Sequence, residues 1–173
     1  GEELSSAAIN AVIVALLLIL AYMAWRFHRL LYGLAAVVAL FHDVLITLGL
    51  LSLIGVEITL AVVAGLLAIV GYSLNDTIVV FDRIRENLPV IRRKGFAGVI
   101  DHSINDCLSR TLITSMTTLV AVVILMLFGG EVNRNFTITL MIGVLVGTYS
   151  SIFVASPVLY LGHKRSEEKE KRS

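Results

Sequence analysis

A carboxylate inside a strongly apolar stretch is the first feature of this sequence that could do chemistry. Asp76 belongs to the segment 71–77, read GYSLNDT, in which it follows Asn75 and lies one helical turn after Tyr72. An acid in a membrane-spanning helix is energetically costly, and it commonly serves to take up and release a proton. We therefore predict a proton pathway at Asp76 that includes Asn75 and Tyr72, while a purely structural pairing with another helix remains the alternative.

A second acid, Asp43, follows His42 in an earlier apolar stretch. A carboxylate at the centre of a spanning helix costs about 3 kcal/mol on insertion scales, so we expect it to face protein or water. Gly33, Ala36 and Thr47 share its side of the helix, which predicts a stripe of small and polar residues that packs inward. Both a structural hydrogen bond and a place in the proton pathway remain open for Asp43.

Arg110 is the cation at the start of a later apolar stretch, and Thr111, Thr114 and Ser115 follow it. The helix of Asp76 descends towards the membrane surface from which the helix after Arg110 rises, so the two charges could lie at similar depth. A nearby cation favours the ionised carboxylate and burial favours the neutral one, and this competition suits a proton switch. The alternative is that Arg110 extends to lipid phosphates.

Five segments are long and apolar enough to carry these residues across a bilayer, which takes about 20 residues. They are Ala7–Trp25, Leu30–Val56, Ile58–Phe81, Thr111–Gly130 and Phe136–Leu161. The chain of 173 residues is 57% hydrophobic and has a mean hydropathy of +0.90. Because the segments lack the alternation of barrel strands, they are predicted to be helices. The predicted fold class is all-α, a polytopic membrane bundle that forms a single transmembrane domain over residues 1–173.

Lysine and arginine are concentrated on one side of these spans. That side has Arg26, Arg29, Arg83, Arg85, Arg92, Arg93, Lys94, Lys164, Arg165, Lys169, Lys171 and Arg172, whereas the other has Glu2, Glu3, Glu57, Glu131 and Arg134. Positive charge is retained in cytoplasmic loops. We therefore expect the N-terminus outside, the C-terminus in the cytoplasm, and residues 163–173 as a solvated cytoplasmic tail.

The remaining segments have recognisable patterns. Residues 82–109 are predicted to form a cytoplasmic loop with an interfacial helix, because apolar residues recur there at three- and four-residue steps. Gly143, Gly147 and Ser151 lie at four-residue steps and predict close helix packing. We expect Pro157 to kink the last span. The aromatic residues near span ends, predicted to be interfacial anchors, are Trp25, Tyr32 and Tyr160.

Composition and motifs argue against several other functions. A net charge of +1 without a basic stripe is not typical of a nucleic-acid binder. The single Cys107 excludes an intrachain disulfide, and no metal-ligand spacing or nucleotide-binding loop occurs. The four histidines are scattered and no GxSxG motif is present. We therefore predict a protein that is not an enzyme, binds no metal or cofactor, and uses protons as its coupling ion.

Five stretches of the sequence resemble the SecF branch of the SecD/SecF family, which is related to the RND transporters. They are GYSLNDTIVVFDRIREN from Gly71, FHDVLITLG from Phe41, LSRTLITSMTTL from Leu108, LFGG from Leu127 and IGVLVGTYSSIFVAS from Ile142. The SecD branch has an AVDAN-type sequence and an ERI ending where this chain has SLNDT and FDRI. A full SecF has six spans with a large extracytoplasmic domain after the first. The resemblance therefore implies the last five spans of SecF or of a fused SecDF.

The resemblance implies a subunit of the bacterial inner (plasma) membrane that uses the proton motive force. With SecD it would promote preprotein export through the SecYEG channel, with YajC as a further partner and with preprotein contacts made by a domain absent from this chain. By the same resemblance, Asp76 and Arg110 correspond to the aspartate and arginine of the family's proton pathway. The family role of Asp43 is less well defined.

Two other functions remain as alternatives. An intramembrane aspartyl protease would use Asp43 and Asp76 as facing carboxylates that share a proton. Its Gly-x-Gly-Asp signature is replaced here by Ser73-Leu74-Asn75-Asp76, and its Pro-Ala-Leu motif by Pro157-Val158-Leu159. An RND-type proton-coupled exporter of small molecules is the other alternative, although the usual extracytoplasmic domains are not found in this sequence.

Overall fold

The structure is a computed structural model of the chain and describes residues 2–89 and 95–170. Its six α-helices are α1 (Glu2–Phe27), α2 (Leu30–Leu53), α3 (Leu60–Asn87), α4 (Gly95–Phe128), α5 (Arg134–Ser150) and α6 (Ser156–Glu170). No strand occurs within the described ranges, and the prediction of an all-α membrane bundle is confirmed. The basic residues Arg92, Arg93, Lys94, Lys171 and Arg172 lie outside the described residues.

Within the described ranges, four helical units are long and apolar enough to cross a membrane. They are α2, α3, α4 and the continuous unit Arg134–Lys169, which contains α5 and most of α6, whereas the apolar part of α1, Ile13–Phe27, is shorter. At 1.5 Å per residue, the 34 residues of α4 extend over about 51 Å, more than the roughly 30 Å of hydrocarbon. In the predicted loop 82–109, residues 82–87 belong to the end of α3 and residues 95–109 form the first part of α4. Helix α4 then continues without interruption into the span.

Local sequence explains the turn between α2 and α3. Gly55 adopts a φ of +71°, which suits glycine, and the amide of Val56 donates to the carbonyl of Leu51 at 3.0 Å. These are the features of a Schellman ending. Thr59 then begins α3, since its hydroxyl accepts a hydrogen bond from the amide of Val62 at 3.4 Å. The turn therefore closes one helix and opens the next with little unpaired backbone.

Helix α3 lies at the centre of the bundle and packs most extensively on α5, with α2 and α4 also against it. Small residues permit this approach. A Cβ atom at Gly65 would lie 2.8 Å from Cγ2 of Thr139, and one at Gly143 would overlap the side chain of Ile69. Close backbone contact is typical of helix pairs in membranes. The packing fixes the depth and rotation of the face of α3 that carries Asp76.

The ends of α1, α3 and α4 meet at one end of the bundle, here called the basic end because Arg26, Arg29 and Arg83 lie there. Arg26 pairs with Asp82 at 3.0 Å, and Arg83 pairs with Asp106 at 2.8 Å. These contacts join helices that are distant in sequence. The structure therefore gathers the described basic segments at a single end, as an orientation based on positive charge requires.

Aromatic residues pack beneath the basic end, and one of them differs from the prediction. Tyr32, expected to be an interfacial anchor, is 5% exposed, stacks on Phe27 at 5.0 Å and meets the edge of Phe81 at 5.4 Å. Its helix position turns it towards α1 and α3, so burial against other rings replaces contact with the interface. Trp25 is 72% exposed, and Tyr160 stacks on Phe96 of α4.

The last span contains a π-helical turn, Ser151–Ala155, which lies directly before α6 and Pro157. The hydroxyl of Ser156 donates to the carbonyl of Ser151 at 3.3 Å. Such turns relieve the missing amide and the ring clash that proline introduces into a helix. The described part of the predicted tail continues α6 as helix through Glu170.

Candidate functional site

Asp76 lies in the interior of the bundle on α3 and is 3% exposed. Its Oδ2 atom is buried and has no hydrogen-bond partner among the described residues. A buried carboxylate oxygen without a partner is costly, and native proteins seldom retain one without a functional reason. Asp76 therefore has the burial and the unpaired oxygen expected of a group that accepts a proton.

Asp43 on α2 is completely buried, and both of its oxygens are bonded. The hydroxyl of Ser73 on α3 donates to Oδ2 at 2.5 Å, and Nδ1 of His42 lies 3.1 Å from Oδ1. The His42 side chain is one-third exposed, at 33%. Asp43 is thus held between a neighbouring helix and a ring that reaches the outside of the bundle.

The position of Ser73 depends on a glycine of another helix. A Cβ atom at Gly147 on α5 would lie 3.0 Å from the Cβ atom of Ser73. Any larger residue there would press on Ser73 and disturb its bond to Asp43. Gly147, Gly143 and the buried Ser151 thus place the predicted small-residue ridge of the last span against α3 and inside the bundle.

The two carboxylates do not form a dyad. Ser73 and Asp76 are three residues apart on α3, so Asp43 and Asp76 lie near the same level of the bundle. No hydrogen bond joins Asp43 to Asp76, both of which are within the described ranges, because Asp43 is already bonded to Ser73 and His42. The two carboxyl groups therefore lack the direct contact through which the protease alternative would share a proton.

Arg110 is exposed, and within the described part of the chain no hydrogen bond or ion pair joins it to Asp76. Its positive charge nevertheless acts electrostatically on Asp76. Arg110 also lines a cavity of about 410 Å³ near the basic end, together with Asp82, Arg83, Glu86 and Asp106. Arg110 therefore lines a polar cavity and also acts electrostatically on the buried acid.

Tyr72 connects three helices one turn from Asp76. Its hydroxyl donates to Oγ of Ser115 on α4 at 3.1 Å, and that oxygen lies 2.6 Å from Oγ1 of Thr148 on α5. Thr148 in turn donates to the carbonyl of Val144 at 2.6 Å. This chain of hydroxyls is continuous, and it fixes the rotation of α3 relative to α4 and α5.

Asn75 is the predicted pathway residue that the structure separates from the others, since its side chain is exposed. It precedes Asp76 directly, and successive residues of a helix point about 100° apart. Because Asp76 points into the bundle, the side chain of Asn75 points away from Asp76 and lies on the outside of the bundle.

The sequence prediction did not assign several polar residues of the site to the proton pathway, although it placed Thr47 and Thr111 on polar sides of their helices. Besides Asp76, the buried side-chain oxygens without a partner in the described ranges belong to Thr47, Thr77 and Thr111. Ser73 and Thr148 were not selected either, although both hydroxyls are bonded across or along helices. Helical spacing could have placed Ser73 one turn before Asp76 and Thr111 one turn before Ser115. It could not have shown which helix each hydroxyl faces.

Comparison with known proteins decides the family. The model of the family described as "Protein export membrane protein SecD/SecF, C-terminal" matches residues 1–165. The chain belongs to the SecD/SecF family. It is 56% identical over 165 residues to the protein translocase subunit SecF of Rhodothermus marinus, covering 92% of this chain and 53% of that relative. It is 46% identical over 170 residues to the protein translocase subunit SecDF of Thermus thermophilus, covering 98% of this chain and 23% of that protein.

Solved structures of SecD/SecF family members have the same fold. A crystal structure of SecDF in the super-membrane-facing form superimposes with a TM-score of 0.89 and 45% identity, and the match covers 100% of this chain and 24% of that one. The chain spans about half the length of the SecF relatives that it matches. It is a multi-pass membrane protein, and its bacterial SecF relatives indicate the inner membrane. The resemblance to the SecF branch is confirmed, and SecD/SecF membership favours neither the protease nor the small-molecule exporter.

Proposed function

We propose that this chain is the membrane part of a SecF subunit that uses proton flow, together with SecD, to promote preprotein export through the SecYEG channel. The names of the relatives support the export role, and the fused SecDF relatives support SecD as the partner. YajC is included as a further partner, and preprotein contact is assigned to a domain outside this chain. The role is transport and not catalysis, with protons as the only coupling ion.

Asp76 is the observation that carries the proposal. It is a nearly fully buried acid with an unpartnered oxygen, on the helix that touches α2, α4 and α5. Protonation would remove a negative charge from this interior and weaken the electrostatic attraction of Arg110. Since α3 contacts three helices, a change of charge there would alter packing throughout the bundle.

The membrane potential supplies enough energy for such a change. One elementary charge that crosses the membrane carries about 2.3 kcal/mol per 100 mV. A bias of that size shifts a two-state equilibrium about fifty-fold, since 1.4 kcal/mol is a factor of ten. Proton passage at Asp76 would therefore favour one arrangement of the helices over another.

In the proposed membrane orientation, the N-terminus of the chain lies outside and the basic end lies in the cytoplasm. This orientation is supported by the ion pairs that bring the ends of α1, α3 and α4 together at one end. In this orientation the cavity beside Arg110 opens towards the cytoplasm, and Asp76 lies deeper in the membrane.

The test replaces Asp76 with Asn in the complete complex and measures preprotein export with and without a proton gradient. The side chain keeps its shape and loses its titration, so stimulation by the gradient is expected to disappear while basal export persists. Asp101→Asn is the matched control, because Asp101 is an exposed acid of α4. Full stimulation in Asp76→Asn would reject the proposal.

A further inference from the structure

The contacts between α3 and α4 define how the two helices are aligned, and this alignment indicates which residue of α4 lies near Asp76. Tyr72 bonds to Ser115, Cys107 Sγ lies 3.9 Å from the carbonyl of Val79, and Arg83 pairs with Asp106. From the first contact to the last, α3 advances by eleven residues, from Tyr72 to Arg83, while α4 moves back by nine, from Ser115 to Asp106. The two helices are therefore antiparallel neighbours in one consistent register over this length.

This register places Thr111 opposite Asp76. Asp76 is one turn after Tyr72 on α3, and Thr111 is one turn before Ser115 on α4. One turn from a direct contact in an antiparallel pair leads to the next facing pair, because residues four apart share a helix face. Both side chains are buried, with exposures of 3% and 1%.

Thr111, like Thr47 and Thr77, differs from the threonines of the bundle whose hydroxyls are bonded within their own helix. Thr114, Thr118, Thr137, Thr139 and Thr148 each donate the hydroxyl to the carbonyl four residues earlier. The hydroxyl of Thr111 is buried and has no partner among the described residues, as is also true of Oδ2 of Asp76. The Thr111 hydroxyl and Oδ2 of Asp76 are thus two buried groups that each lack a hydrogen-bond partner among the described residues.

We propose that Thr111 is a positioning residue that holds, together with Oδ2 of Asp76, an internal water molecule through which Asp76 exchanges its proton. The inference rests on the proposed function of Asp76. Buried waters typically make about three hydrogen bonds to polar groups that otherwise lack them, and they bridge groups too far apart for direct contact.

The bridge works in both charge states. With Asp76 ionised, the water accepts the hydroxyl hydrogen of Thr111 and donates one O–H to Oδ2. When a proton binds to the water oxygen, the water hydrogen already bonded to Oδ2 moves onto Oδ2, so one O–H bond forms, another breaks, and the water again has two hydrogens. Asp76 then donates to the water oxygen. Thr111 stays neutral throughout, so its part is to orient the water and not to carry charge.

The test is infrared difference spectroscopy on the complete complex in membranes, which follows the carbonyl band of the protonated carboxyl as the pH is changed. Asp76→Asn assigns the band. Thr111→Val removes the hydroxyl with little change of shape, and we expect it to move the band to higher frequency. It should also abolish the shift of an internal water O–H band in H₂¹⁸O. Proton-driven export is expected to fall about tenfold, which is the effect of one lost hydrogen bond of about 1.4 kcal/mol.

Two controls separate positioning from packing. Thr111→Ser keeps the hydroxyl and should retain both bands, whereas Thr137→Val removes a buried hydroxyl that is already bonded to Asn133 and should leave them unchanged. If Thr111→Val fails to assemble, Thr111→Ala provides the same comparison. An Asp76 band that titrates normally and is identical in Thr111→Val would overturn the inference and leave the proposed function intact. No titrating band from Asp76 in the wild type would reject both.

Discussion

The hydroxyl of Ser73 lies 2.5 Å from Oδ2 of Asp43 and joins α3 to α2 in the middle of the bundle. The bond depends on a third helix, since Gly147 of α5 leaves just enough room for Ser73. One of the two buried acids is therefore satisfied by protein atoms, while Oδ2 of Asp76, one turn further along α3, is not. From this difference we expect Asp43 to serve as a structural hydrogen-bond acceptor and Asp76 to be the acid that exchanges a proton.

Removing the Ser73 hydroxyl should destabilise the bundle. In Ser73→Ala the buried carboxylate of Asp43 loses one of its two partners, which typically costs about 1–3 kcal/mol. We expect a lower Tm of the purified protein in detergent. Ser52→Ala is the control, because Ser52 is exposed near the end of α2 and should leave the Tm unchanged. Equal Tm values for Ser73→Ala and the wild type would show that the bond contributes nothing to stability.

A methyl group at Gly143 should disrupt the contact between α3 and α5. The added Cβ in Gly143→Ala would overlap the side chain of Ile69, and overpacking of this kind costs about 1–3 kcal/mol. Thermal unfolding in detergent should show a lower Tm. Gly71→Ala on α3 meets nothing within 4 Å and should instead be neutral or mildly stabilising. The prediction fails if the two variants unfold at the same temperature.

Loss of the Tyr72 hydroxyl should uncouple α3 from α4. Tyr72→Phe removes the bond to Ser115, and we expect a loss of about 0.5–1.5 kcal/mol. A double-mutant cycle with Ser115→Ala measures the coupling, and the double variant should lose less stability than the sum of the two single variants because both changes delete the same bond. Tyr22→Phe is the control, since Tyr22 is 45% exposed on α1. Strictly additive effects would argue against the bond.

The proposed orientation predicts which residues are accessible from each side of the membrane. Glu57→Cys in intact spheroplasts should react with an impermeant maleimide, whereas Lys164→Cys should react only after permeabilisation. Both positions are exposed, and the native Cys107 is buried and replaceable by Ala for background. The reverse labelling pattern would invert the orientation, and with it the side on which the cavity beside Arg110 opens.

Much of the fold was predictable because membrane helices are specified locally. Long apolar runs and the requirement to pair every backbone group inside hydrocarbon predict the helices and their order. Their ends were less predictable. The polar residues after Phe81 suggested a loop, yet α3 continues to Asn87 because Asn87 bonds to Ser103 and Arg83 bonds to Asp106 across to α4. Contacts with a second helix decided where the first one ends.

The candidate site was predictable in residue type and less so in its connections. Asp43, Asp76 and Tyr72 were selected because polar groups inside apolar helices are costly. The expected pair of Asp76 and Arg110 has no direct bond in the described residues, and Asn75 faces outward. The helical period shows which residues share one side of a helix. It does not show which neighbouring helix that side contacts.

The amino-acid sequence by itself determined the membrane character, the helices and the positions of the buried acids, because hydropathy and helical period act within one segment. Only the tertiary structure showed that Ser73 bonds to Asp43 and that Tyr72 bonds to Ser115. Those relationships depend on the depth and rotation of each helix relative to its neighbours. Small residues such as Gly143 and Gly147 set that depth and rotation through contacts between helices far apart in the chain.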